Sequence, residues 1–171
     1  MAIAARTMQV TGADSLELKI PPLAVVLIAA GLMLLMRWLT PTLVVSLDLD
    51  VRMWAALPVL AAGIAIAVAG VIQFRRSHTT VNPMTPERTS ALVSSGIYRY
   101  TRNPMYVGVL AVILGHFLWF GFWYLLIYAA VIFLAFHTFV TYYEEPTLRK
   151  KFGVAYEDYC KRVPRWFSIF K

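Results

Sequence analysis

Charged residues and cysteine are both scarce in this sequence. Asp, Glu, Lys and Arg make up 15% of the 171 residues and hydrophobic residues 60%, a larger apolar share than soluble domains usually have. Cys160 is the single cysteine, which excludes an internal disulfide and a cysteine-built metal site. No His, Cys or carboxylate group has metal-ligand spacing, so no metal is predicted. The apolar residues form long uncharged blocks, which predicts one membrane-embedded domain over residues 1–171.

Common targeting and binding signals are also missing. The first 20 residues include Arg6, Asp14, Glu17 and Lys19 and no apolar run with a small-residue cleavage site, so we expect no cleaved signal peptide. No G-x-G-x-x-G precedes a predicted helix, which argues against a soluble dinucleotide-binding fold. The net charge is +7, but the basic residues flank apolar runs. Membrane lipid is therefore the expected partner, and nucleic acid is not.

Two apolar runs in the first half are long enough to cross a bilayer. The first covers residues 22–39 and carries Arg37 near its end as its only charge. The second covers residues 54–74, which are 21 uncharged positions. Both lengths are close to the roughly 20 residues that a membrane helix needs.

A longer uncharged stretch follows, from Asn103 to Tyr143, and its 41 residues would make a helix about 60 Å long. The hydrocarbon core is only about 30 Å thick, so the chain must fold back. Aromatic residues between Trp119 and Tyr124 are typical of a turn at the membrane interface. This predicts a helical hairpin with spans at residues 104–120 and 122–143.

Four spans place both termini and the loop of residues 75–103 on one side of the membrane. That side would hold fourteen of the sixteen Lys and Arg residues, and only Arg37 and Arg52 would lie opposite. Such an asymmetry predicts cytoplasmic termini in a multi-pass membrane protein. The fold class is therefore an all-α membrane bundle of about four helices.

The C-terminal segment, residues 144–171, has an apolar stripe at helical spacing. Basic and acidic residues occupy the other faces, which predicts an amphipathic helix at the membrane interface. The stripe consists of Leu148, Phe152, Tyr156, Tyr159 and Val163.

The hairpin would bring Arg102 and Asn103 beside Glu144 and Glu145, because packed helices lie about 8–10 Å apart. Asn103 followed by Pro104 is a favourable helix start, with Asn as the cap. Two interpretations stay open. The cluster is either a structural ion-pair network, with Arg99 or Arg102 as the cation, or a binding site for a zwitterion such as an amino acid group.

Two motifs at these positions resemble those of a known superfamily. Residues 96–108, GIYRYTRNPMYVG, are similar to the R-[HN]-P-x-Y-x-G signature of the isoprenylcysteine carboxyl methyltransferases and phospholipid methyltransferases. Residues 144–163 resemble the E-E-x-x-L-x-x-x-F-G-x-x-Y-x-x-Y-x-x-x-V segment of that superfamily, and residues 79–83 its lead-in. Asn103 stands where the prenylcysteine enzymes have His. The resemblance covers roughly residues 75–167, and the lead-in is similar to that of small prokaryotic members, which implies a location in a prokaryotic inner membrane.

The resemblance implies an S-adenosylmethionine-dependent methyltransferase that acts on a lipophilic or amphiphilic acceptor. Its cofactor site would be formed by the loop of residues 75–103 and the segment of residues 144–171. Catalytic or substrate-orienting roles would fall to Arg99, Glu144 and Arg165. The implied cofactor contacts are Tyr98, Arg102, Asn103, Pro104, Tyr106, Gly108, Glu144 and Glu145.

Other interpretations also fit parts of the sequence. Membrane sterol-type reductases, which bind NADPH, share a similar R-N-P-x-Y motif, and a non-catalytic membrane scaffold is a third alternative. Gly108 would serve a close helix contact as well as a cofactor contact. His137 is predicted to make a hydrogen-bonded helix contact and not to act as a base.

Overall fold

The computed structural model describes residues 31–32, 34–36, 38–39, 48–77 and 90–167. Within these ranges the protein is helical and has no β-strand, which confirms the predicted all-α class. The elements are α1 (Leu49–Arg76), a 3₁₀ helix (Gly96–Arg99), α2 (Pro104–Phe120), α3 (Tyr124–Phe139), a π turn (Val140–Glu144), α4 (Glu145–Phe152) and α5 (Val154–Arg162).

Helix α1 contains the whole predicted span of residues 54–74. Asp48 caps its start by accepting a hydrogen bond from the amide of Asp50 at 2.8 Å. Arg75 and Arg76 lie in its last turn, where positive charge is favourable beside the carbonyl end of the helix dipole.

The stretch from Asn103 to Tyr143 folds back, as its length predicts. Helix α2 ends at Gly121, whose φ of 71° lies in the left-handed region that glycine adopts at little cost. Helix α3 begins three residues later. Phe122, Tyr124 and Leu125 are buried together at this turn, and Arg52 donates to the carbonyl of Phe120 at 3.2 Å.

Helices α1 and α2 make the most extensive contact between elements, and small residues permit it. A Cβ on Gly108 would lie 2.6 Å from the carbonyl oxygen of Gly63, and a Cβ on Gly115 would lie 2.6 Å from the side chain of Leu60. Gly63 and Gly70 face α2 in the same way. The two backbones therefore approach more closely than larger side chains would allow.

Two helical stretches in the described residues are long and apolar enough to cross a membrane. They are Leu49–Arg76 and the continuous stretch Tyr124–Phe152, and only 17% and 22% of their most apolar windows are buried. Helices of a soluble core would be mostly buried, whereas here Trp54 is 78% and Ile127 68% exposed. Helix α2 is apolar but shorter.

The predicted first span is covered only in part. Residues 31–39 are helical wherever they are described, while residues 22–30 lie outside the described residues, as do residues 78–89 of the predicted loop and residues 168–171. A total of four spans therefore stays a prediction.

The C-terminal segment differs from the single interfacial helix that was predicted. Gly153, with φ of 52°, divides it into α4 and α5. Tyr156, Tyr159 and Val163 are buried, and Leu92, Leu148 and Phe152 pack against them. The apolar stripe thus packs inside the protein and not on lipid. Helix α5 turns back toward the 3₁₀ segment, where the hydroxyl of Tyr159 bonds to the carbonyl of Tyr98.

Candidate active site

A buried carboxylate, Glu145, holds the site together. It begins α4 directly after the π turn and is only 4% exposed. Its Oε1 accepts from Nε of Arg165 at 2.7 Å, and its Oε2 accepts from Nη2 of the same guanidinium at 2.9 Å. Nη1 of Arg102 lies 3.0 Å from Oε1. Glu145 is therefore the anion of the predicted ion-pair network, and Arg102 and Arg165 are its main cations.

Residues 163–167, which we call the C-terminal strap, close over the start of α2. The carbonyl of Pro164 accepts from the amide of Arg102 at 3.0 Å. The carbonyl of Arg165 accepts from Nδ2 of Asn103 at 2.9 Å and from the hydroxyl of Thr101 at 3.1 Å. These bonds join the two motifs of the sequence through the backbone.

Asn103 differs from its predicted role as a helix cap. Its side chain makes no capping hydrogen bond to α2, since Nδ2 is used to hold the strap. Pro104 stands at the first helical position, as predicted. Asn103 is 7% exposed, so its amide fixes the path of the chain and does not face solvent.

The strap also reaches α3. Nε1 of Trp166 donates to Nδ1 of His137 at 3.2 Å, and the Trp166 ring packs against Phe133. His137 therefore makes a hydrogen-bonded structural contact, as expected, although its partner is the strap and not another helix. Because Nδ1 accepts this bond, the neutral imidazole carries its proton on Nε2.

Glu144 is placed very differently from its neighbour. It is half-buried, and its Oε2 accepts a 3.3 Å hydrogen bond from the hydroxyl of Tyr106. Across residues 48–77 and 90–167, no Lys, Arg or His nitrogen lies within 4.0 Å of it. One carboxylate of the pair is thus neutralised by arginines, and the other has only a phenol.

Tyr98 lies within electrostatic range of the Glu144 carboxylate. It is 4% exposed, and its hydroxyl is buried without a hydrogen-bond partner. Burial, together with the negative charge of Glu144, raises the pKa of Tyr98 above its ordinary value, so the hydroxyl stays protonated. The hydroxyl of Tyr159 donates to the backbone carbonyl of Tyr98 at 2.8 Å and holds it in place.

Three further buried polar atoms lack partners in the part of the chain that the structure describes. They are Nε of Arg102, the hydroxyl oxygen of Thr141 and, at the hairpin turn away from this site, Nε of Arg52. Leaving a buried donor or acceptor unsatisfied costs about 1–3 kcal/mol. Unsatisfied groups of this kind call for an explanation, and hydrogen bonds to a bound ligand are one.

The structure brings most of the predicted site residues together. Tyr98, Arg102, Asn103, Pro104, Tyr106, Glu144, Glu145 and Arg165 all belong to the connected group described above. Arg99 is exposed and has no ion pair to either carboxylate. Gly108 is turned toward α1, which favours the helix-contact alternative for this residue.

Thr101 and Cys160 contribute contacts that the sequence did not single out. Thr101 is 1% exposed, and besides its bond to the strap it accepts from the amide of Asn103 at 3.2 Å. Nη1 of Arg102 lies 2.6 Å from the sulfur of Cys160. A hydroxyl residue two positions before Asn103, the residue that precedes the helix, was a usable signal for Thr101, whereas the contact of Cys160 depends on the fold of α5.

Comparisons with known proteins agree with the two motifs. Residues 51–155 match the family model described as phospholipid methyltransferase. The protein-S-isoprenylcysteine O-methyltransferase of Schizosaccharomyces pombe (strain 972 / ATCC 24843) is 30% identical over 125 residues, which are 72% of this chain and 52% of that relative. The chain thus spans about half the length of this curated relative.

No solved structure matches the chain. The family match covers more than half of the 171 residues and includes the R-N-P-x-Y motif, the hairpin, the carboxylate pair and helix α4. We conclude from this match that the chain belongs to the phospholipid methyltransferase family.

Proposed function

We propose that the protein is an integral membrane methyltransferase that uses S-adenosylmethionine. The observation that carries this proposal is the contrast within the carboxylate pair. Glu145 is neutralised by Arg102 and Arg165, whereas Glu144 has no cation within 4.0 Å in the described residues. Its charge acts on Tyr98, whose buried hydroxyl has no hydrogen-bond partner. A carboxylate in that position favours a ligand that brings its own positive charge.

The side chains present fit S-adenosylmethionine, which carries an ammonium, a sulfonium and a carboxylate. Glu144 would face the positive part of this molecule. Tyr98 and the free Nε of Arg102 are donors that would meet its oxygen and nitrogen acceptors. Glu145 is too fully occupied to bind a cation, so its role is to position Arg102 and the strap.

When bound, the cofactor would supply an activated methyl group, and the protein would contribute alignment and electrostatics. Glu144 and Tyr106 would fix the cationic end of the cofactor. Of the two arginines considered for the acceptor, Arg165 already gives two N–H groups to Glu145. Arg99 is exposed and is therefore better able to meet an anionic acceptor group.

The acceptor would be lipophilic or amphiphilic, such as an isoprenylcysteine-like carboxylate or a lipid head group. Exposed apolar side chains along α3, including Ile127, Val131 and Leu134, leave that helix open to lipid. We further propose four spans, an inner-membrane location and cytoplasmic termini, on the strength of the asymmetric Lys and Arg distribution.

Calorimetry on the purified protein in detergent tests the cofactor. We expect saturable binding of S-adenosylmethionine and of its demethylated product, and none of NADPH. Binding of NADPH alone would instead favour the sterol-type reductase, and binding of neither would favour a scaffold. An acceptor screen with labelled cofactor over prenylated thiols, fatty acids and aminophospholipids would then identify the substrate class.

A further inference from the structure

The hairpin of α4 and α5 carries a cationic surface that the proposed cofactor site does not use. The packed stripe of this hairpin faces inward, which leaves its charged residues outside. We define the α4–α5 basic surface as Arg149, Lys150, Lys151, Lys161 and Arg162, all of which are exposed.

The surface keeps a positive excess after its acidic neighbours are counted. Helices α4 and α5 together also carry Glu145, Glu157 and Asp158, so five cations minus three anions leave +2. Lys161 pairs with Asp158 at 2.9 Å. Exposed pairs of this kind are worth only about 0–1 kcal/mol, so they do not prevent an external anion from binding.

The length of the preceding helix places this surface at the level of lipid head groups. Tyr124–Phe152 is one continuous helical stretch of 29 residues, and about 20 residues cross the hydrocarbon core. If the aromatic turn before Tyr124 lies at the opposite interface, the core ends near Tyr143. The backbone of Lys150 then lies about 10 Å beyond the core, just outside a head-group layer that is about 5–8 Å thick.

Helix α5 brings the other two cations back toward the membrane. The strap that follows it bonds to the start of α2, with Pro164 accepting from Arg102 at 3.0 Å. Lys161 and Arg162 therefore lie near the level at which α2 enters its apolar stretch. The long side chain of Lys150 can extend inward to the lipid phosphates, and those of Lys161 and Arg162 can extend outward to them.

We propose that the α4–α5 basic surface binds the head groups of anionic phospholipids, separately from whatever acceptor the active site uses. The positive excess complements an anionic leaflet, and clusters of basic residues directly beside a membrane helix are attracted to such lipids. Each residue contributes about fivefold in lipid affinity, from roughly 1 kcal/mol per charge. Arg149 also lies 3.8 Å from Glu145, so the surface borders the cofactor site.

Native mass spectrometry of the full chain tests this proposal. The protein would be released from micelles containing equal amounts of phosphatidylglycerol and phosphatidylcholine, and the retained lipids counted. We expect wild type to prefer phosphatidylglycerol, and Lys150→Gln/Lys151→Gln to lower that preference at least about tenfold. The charge-preserving Lys150→Arg/Lys151→Arg variant should retain it, which separates lost charge from lost folding.

A matched control removes the same charge elsewhere. Arg75→Gln/Arg76→Gln neutralises two exposed residues at the end of α1, where two cations and not five lie together, and should lower the preference less than Lys150→Gln/Lys151→Gln does. Equal losses in the two glutamine variants would overturn the proposal, because total charge would then account for binding. The absence of any preference in wild type would overturn it as well.

Discussion

The same mutation, Glu→Gln, should affect different properties at the two adjacent glutamates. It removes the charge of the side chain and nearly preserves its shape. Glu145 is buried with two arginines within 3.0 Å, whereas Glu144 has one hydroxyl at 3.3 Å. The first residue should therefore control stability, and the second should control cofactor affinity.

The cost of Glu145→Gln follows from the charges left behind. Breaking a buried ion pair by removing one partner costs about 3–5 kcal/mol. The side chains of Arg102 and Arg165 are 11% and 27% exposed, so partial hydration places the cost near the lower value. A loss of about 3 kcal/mol would lower the melting temperature by about 6–12 °C for a chain of this size. Arg102→Lys should also destabilise the protein.

Glu144→Gln should change stability by less than about 1 kcal/mol, because the amide oxygen still accepts from Tyr106. Its loss of charge should weaken S-adenosylmethionine binding about tenfold to a hundredfold, the equivalent of about 1.5–3 kcal/mol for a charge-assisted bond. Melting curves and calorimetric titrations on the same preparations would measure both quantities. If Glu144→Gln lowers the melting temperature sharply and the remaining folded protein binds S-adenosylmethionine with unchanged affinity, the assignment of roles within the pair is wrong.

Three other predictions follow. Tyr98→Phe should raise the melting temperature of the cofactor-free protein, because it removes a buried hydroxyl without a partner, yet weaken cofactor binding in titrations; lower stability with unchanged affinity would contradict this. Gly108→Val should cost about 2–3 kcal/mol by overpacking against α1. Gly153→Ala has open space around the new Cβ, so its cost of about 1–3 kcal/mol should come from backbone strain at φ 52° and ψ −128°, a region that favours glycine; chemical denaturation measures both. A reporter fused after Lys171 should be cytoplasmic, and an external signal would refute the charge-based topology.

The fold of the hairpin was predictable because one physical limit determines it. An uncharged stretch of 41 residues exceeds the thickness of a bilayer, so a turn was required whatever the details of packing. The same turn brings Arg102 near the carboxylate pair. Lengths and charges were therefore sufficient to locate the candidate site.

The sequence did not predict which surface the C-terminal apolar stripe packs against. The apolar stripe from Leu148 to Val163 has the same periodicity whether it faces lipid or protein, and only the backward turn at Gly153 decides between them. The different roles of Glu144 and Glu145 were hidden for a similar reason. Adjacent residues on a helix point about 100° apart, but the sequence does not say which of them faces the arginines.

The π turn at Val140–Glu144 has a consequence for insertions and deletions between the two motifs. A π turn accommodates one more residue than an α-helical turn, so Glu145 points in the direction that an unbroken α-helix would give to the preceding position. Relatives that keep the same carboxylate geometry without this turn should therefore be one residue shorter here. A chain of unchanged length that straightened into a regular helix would rotate the pair by about 100° and separate Glu145 from Arg102 and Arg165.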